Sequence, residues 1–149
     1  MDDSSAPSER ISDSAAAFDL LEHSGDVKLR ARGQTLEQVF VTAAQGMMAF
    51  LFGDQIAKAR PEQKDVIRVE AADREALLVD WLSELLYRAT SQYRAYVDFR
   101  IYEMGERSLA ATAGVVSAEA IDDIKAVTHH DLSIRKQDDA WEAIVVFDI

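Results

Sequence analysis

The chain has 149 residues, with 27 acidic against 16 basic side chains for a formal net charge of -11, and it contains no cysteine. That length suits one domain with a single core. The missing thiols exclude disulfides, thiolate zinc sites, iron–sulfur clusters and cysteine nucleophiles, and the acidity disfavours unaided binding of phosphate backbones. What remains is the chemistry of carboxylates, histidine, lysine and hydroxyls.

Met1 to Ala15 is rich in Ser, Asp and Ala, with Ile11 as its one large aliphatic side chain, and reads as a disordered acidic tail that cannot repay its ordering entropy. No run approaches the ~20 apolar residues of a membrane span, and the N-terminus lacks the apolar stretch of a signal peptide, so a cytoplasmic protein is expected. A domain is expected over residues 16–149. Phe18, Leu20 and Leu21 begin a strand that runs into Glu22-His23-Ser24-Gly25-Asp26. Val27, Leu29 and Ala31 then alternate with Lys28, Arg30 and Arg32, the period-two pattern of a strand with one wet face. Thr35-Leu36-Glu37-Gln38 matches a capping box, which predicts a helix from Leu36 to about Gly53. A loop is expected over 54–62 and a short strand over Val66–Ala71. Asp73 is a good N-cap for a helix from Arg74 to about Ser91, whose Asp80, Glu84 and Arg88 read as a solvated face.

Tyr96 to Tyr102 alternates, with Val97, Phe99 and Ile101 expected inward, and Leu109 to Val115 reads as the return strand of a hairpin. Leu132 and Ile134 are in strand phase, and the chain closes on Trp141 to Ile149. Two helices among strands without regular βαβ alternation predict an α+β domain, helices packed on largely antiparallel sheet. The run Ile144-Val145-Val146-Phe147 reads as a strand covered on both faces, which puts Asp148 near the core. A carboxylate there needs a cation, hydrogen bonds or a metal. The α-carboxylate of Ile149 adds a second anionic group, an oxygen cluster of the type hard cations prefer. A plain solvated strand-end Asp148 is the alternative.

Three polar clusters interrupt the apolar strands: Glu22 to Asp26, Lys125 with Thr128-His129-His130-Asp131, and Asp148-Ile149. In extended structure the adjacent His129 and His130 point to opposite faces and cannot share one metal. There is no Gly-rich phosphate loop and no G-x-S-x-G elbow. Two other classes stay open on the residues alone: a hydrolase pairing His23 or His130 with Asp26 or Asp131, and a chaperone-like binding module.

Taken together and in order, the clusters resemble those of the archease family. The resemblance is carried by Leu21-Glu22-His23-Ser24-Gly25-Asp26-Val27, Thr35-Leu36-Glu37, Leu77 to Tyr87 (LLVDWLSELLY), Ile124 to Leu132 (IKAVTHHDL) and Phe147-Asp148-Ile149, and it spans Phe18 to Ile149. Ser24 stands where the family usually has Thr, and His129 where Tyr is common. The resemblance implies a non-enzymatic accessory of an RtcB-type RNA ligase in tRNA splicing and RNA repair. Such an accessory speeds guanylylation of the ligase histidine and sustains turnover, with RNA engaged only through the ligase. It also implies a divalent cation, calcium with manganese or magnesium as alternatives, on Asp26, Asp148 and Ile149, and an essential Lys at Lys125.

Overall fold

The computed structural model describes residues 17–149; the tail reading lies outside them. Two antiparallel sheets and two helices make an α+β domain. The elements are β1 (Phe18–His23), β2 (Asp26–Gly33), α1 (Leu36–Phe52), a 3-10 turn (Gly53–Ile56), β3 (Gln63–Glu70), α2 (Arg74–Gln92), β4 (Arg94–Met104), β5 (Ser108–Ser117), β6 (Ala126–Val127), β7 (Ser133–Gln137) and β8 (Ala140–Asp148). The first sheet runs β1-β2-β8-β6, with β7 also paired to β8, and the second runs β3-β5-β4.

Both helices start where their caps predict. Thr35 accepts from the Gln38 amide at 3.1 Å, and Asp73 accepts from the Ala76 amide at 2.8 Å. The capping box is not reciprocal on Thr35 itself, because the Gln38 side chain accepts instead from the Gln34 amide at 2.8 Å. One helix therefore gains two satisfied donors, one residue apart from the expected pair.

α1 is the centre of the core. Val39, Phe40, Ala43, Ala44, Met47, Met48 and Leu51 are buried, and the helix packs on β1, β2 and β8 of one sheet and on β4 of the other. Together with the 3-10 turn it is long and apolar enough to cross a membrane, contrary to the sequence reading, but 56% of that window is buried inside the fold. Its apolar character is that of a core helix contacted from two sides. Trp81 of α2 ties the helices together by donating from Nε1 to the Phe40 carbonyl at 3.0 Å, and its ring meets Phe99 of β4 edge-on at 6.0 Å.

Two strands depart from expectation. β3 begins at Gln63, earlier than the apolar pattern suggests, because an edge strand with one wet face can start on polar residues. In β4 the pairing register shifts between Val97 and Arg100, and Asp98 sits at φ 53. The bulge reverses the alternation, so Tyr96 before it and Phe99 after it are both buried.

Candidate functional site at the end of the first sheet

A two-residue turn, Ser24-Gly25, joins β1 to β2 and sets His23 opposite Asp26. Gly25 adopts φ 82 with nothing within 4 Å of a built Cβ, so its requirement is purely conformational. β2 in turn pairs with β8 so that Asp26 is opposite Asp148, and Ala126 of β6 is opposite Asp148 on the other side. Directly opposed residues of an antiparallel pair have Cβ atoms about 4.5–5.5 Å apart on one face. Residues 122 positions apart in sequence thus bring two carboxylates side by side. The Ile149 amide donates to the Gly25 carbonyl at 3.0 Å, which fastens the main chain of Ile149 to the same turn.

Like charges directly opposite are destabilising. Among the described residues neither Asp26 nor Asp148 has an ion pair or a side-chain hydrogen bond. Asp148 is exposed rather than near the core. Val145 and Phe147 point inward, Val146 is covered on the outer face, and the strand end leaves Asp148 just past that cover. No group of three or more His, Asp or Glu among the described residues could hold a metal. The side-chain donor set available is therefore two carboxylates, with Ile149 next to Asp148 in the chain. It is all oxygen and anionic, and it fits a hard divalent cation with water completing the shell.

Lys125 is held at the same end of the sheet, its amide donating to the Asp148 carbonyl at 2.7 Å. Its side chain is exposed and lines a cleft of about 360 Å³ with Ser83, Leu86, Tyr87 and Thr90 of α2. Lys125 therefore borders the α2 side of the sheet, while Asp26 and Asp148 belong to the outer face. Tyr87, 64% exposed beside Lys125, was not singled out as a site residue from the sequence; it follows the inward Leu85 and Leu86 on the helix, and an outward aromatic at that point is the one available signal. His129 and His130 are exposed, and His130 Nε2 lies 3.4 Å from its neighbour Asp131. His23 is exposed beside Asp26 without a hydrogen bond to it.

A second polar cluster, missed because the β4 bulge hides it, joins the second sheet to α2. Asp65 of β3 accepts from Arg94 Nη1 at 2.7 Å and from the Tyr96 hydroxyl at 2.6 Å. Arg88 bonds Glu84 at 2.8 Å and the Val66 carbonyl at 3.2 Å, so the supposed solvated face of α2 in part docks on β3. Burial pushes the Asp65 carboxyl up, but hydrogen bonds from Tyr96 and Arg94 and the nearby guanidinium charges outweigh it and hold it below its ordinary value. Burial, then Asp65, raises the Tyr96 hydroxyl, which keeps it a donor. This cluster is structural in character: each member is spent on another.

The profile of the archease protein family matches residues 18–149. The chain belongs to the archease family. Protein archease of Methanosarcina barkeri is 36% identical over 148 residues, covering 93% of this chain and 100% of that protein. Its counterpart in Methanosarcina acetivorans is 37% identical over 141 residues, covering 89% and 95%. The solution structure of protein 1598 from Methanobacterium thermoautotrophicum shares the fold with a TM-score of 0.72 at 27% identity, covering 89% of this chain and 99% of that one. A crystal structure from Thermotoga maritima, described as an archease and possible chaperone, has a TM-score of 0.63 at 21% identity, covering 87% and 94%. These likenesses establish the archease fold over all the described strands and helices.

Proposed function

We propose that this archease assists an RtcB-type RNA ligase, promoting guanylylation of the ligase histidine and repeated turnover without itself catalysing a reaction. The observation that carries the reading is the opposed pair Asp26 and Asp148, unpartnered among the described residues, one backbone hydrogen bond away from Lys125. A divalent cation on Asp26, Asp148 and Ile149, calcium or in its place manganese or magnesium, would supply the positive charge that these groups lack. Lys125, exposed on a cleft, is free to reach a partner as a point charge. The acidic chain leaves RNA to the ligase.

The test is multiple-turnover ligation by a cognate ligase with GTP and manganese, with and without the archease. Stimulation is expected with the wild-type chain and is expected to vanish in Lys125→Ala. Because Lys125 is exposed and has no ion pair among the described residues, that variant should fold with stability within about 0.5 kcal/mol of wild type. Folded Asp26→Ala or Asp148→Ala that stimulated as well as wild type would rule out the cation site. A chaperone-like binding role, the description given to the Thermotoga maritima protein, is the second reading. It is favoured by exposed Leu21, Tyr87, Tyr93 and Ile121. Suppression of client aggregation in the absence of any ligase is its signature.

A further inference from the structure

The outer face of the first sheet carries most of that sheet's positive charge. Lys28, Arg30 and Arg32 project there from β2, and Arg135 stands opposite Glu142 on the far side of β8. A concavity of about 340 Å³ lies on this face, lined by Lys28, Asp131, Ser133, Arg135, Glu142 and Ile144 among others. Of its two carboxylates, Glu142 is paired with two guanidinium groups, and Asp131 stands beside an imidazole. Glu142 faces Arg30 at 3.8 Å and Arg32 at 3.6 Å, and Asp131 lies 3.4 Å from His130. The two cations lining it are unpaired: among the described residues neither Lys28 nor Arg135 has an ion pair or a side-chain hydrogen bond. On the same face Arg30 buries an Nε that has no hydrogen-bond acceptor. An apolar floor at Ile144, with the Ser133 hydroxyl at the side, completes a shallow site whose two lining cations are unpaired among the described residues.

We infer that this concavity binds the phosphates of a phosphorylated ligand, Lys28 meeting one end and Arg135 the other. The two cations flank β8 from different strands, Lys28 in the row of Val146 and Arg135 in the row of Glu142. They are therefore too widely set for one phosphate group to sit against both backbones, and a chain of phosphates bridges them better. Arg135 offers a planar fork and Lys28 a mobile point charge, a pair suited to oxygens at two spacings. The inference does not depend on the ligase reading, since none of these residues belongs to the carboxylate row or to the Lys125 cleft.

The experiment is an amide NMR titration of the full chain, in chelator so that no cation bridges. The probes are inorganic tripolyphosphate, inorganic phosphate and a short single-stranded RNA. Saturable shifts confined to Lys28, Leu132 to Arg135 and Glu142 to Ile144 are expected with tripolyphosphate. They should weaken at least about tenfold in Lys28→Gln/Arg135→Gln, whose spectrum also reports that it is folded. RNA binding tighter than tripolyphosphate would assign the phosphates to a nucleic-acid strand, and the reverse order to a polyphosphate such as a nucleotide's. Either order supports the site. No saturable shift with any probe, or shifts unchanged in the double variant, overturns it.

Discussion

Asp65 shows how one carboxylate can set the acid limit of the fold. Its side chain is only 20% exposed and is shared by Arg94, Tyr96 and, at 3.9 Å, Arg88. Burial opposes its ionisation, yet the hydrogen bonds and charges win, so its folded pKa lies below its unfolded value of about 3.9. A depressed carboxylate stabilises the fold fully above the unfolded pKa, and the contribution is lost as pH falls through the folded value. Asp65→Asn should therefore cost about 1–2 kcal/mol at neutral pH. Denaturant unfolding should show that difference constant between about pH 5 and 8 and shrinking below about pH 4. Tyr96→Phe should cost about 1 kcal/mol from the same cluster, and the two changes should be less than additive because they share one hydrogen bond. A pH-independent Asp65→Asn cost would mean that the carboxylate is not acting through its charge.

The helix α1 shows what close packing asks of single positions. A Cβ on Gly46 would lie 2.6 Å from Leu29 Cδ1 and 3.3 Å from the Phe18 ring, and Leu29 has no exposed side into which to turn. Gly46→Ala gains up to about 1 kcal/mol of helix propensity but meets an overpacking cost of about 1–3 kcal/mol. We expect net destabilisation near 1 kcal/mol, read as a lower denaturation midpoint with an unchanged slope; a stabilised variant would show that β2 can move away from the helix. Such contacts were not legible in the sequence, where Gly46 is only a permissive residue inside an apolar stripe. The helices themselves were legible, because Thr35 and Asp73 announce them and the apolar spacing carries them. The inward phase of β4 was legible from Phe99 onward but not before it, where Tyr96 rather than Val97 is buried, since Asp98 reverses the phase by a backbone conformation that Asp tolerates but does not require. At the site, Asp26, Lys125 and Asp148 could be named from the chain, while their relation depended on register. The strand β8 had to pair with β2 on one edge and β6 on the other before two distant acids became neighbours. The same register corrected the expected burial of Asp148.

Across the whole molecule the net charge of -11 opposes compactness, and the opposed acids of the first sheet concentrate that opposition at one place. The two contributions separate by how they respond to salt. Diffuse self-repulsion is screened over a Debye length of about 10 Å at 0.1 M and gains little from the identity of the cation once ionic strength is matched. A cation held by Asp26, Asp148 and Ile149 would instead stabilise by mass action, about 2.7 kcal/mol at a hundred times its Kd, and the gain would go on rising with the logarithm of that cation's own concentration. We therefore expect sodium chloride to raise Tm in wild type and in Asp148→Asn alike. Calcium chloride at matched ionic strength should raise it further in wild type only. In chelator Asp148→Asn should be the more stable of the two by a few tenths of a kcal/mol, since it removes one of two like charges set directly opposite. An equal calcium response in both proteins would assign the whole effect to screening and leave the carboxylate pair as a solvated strand end.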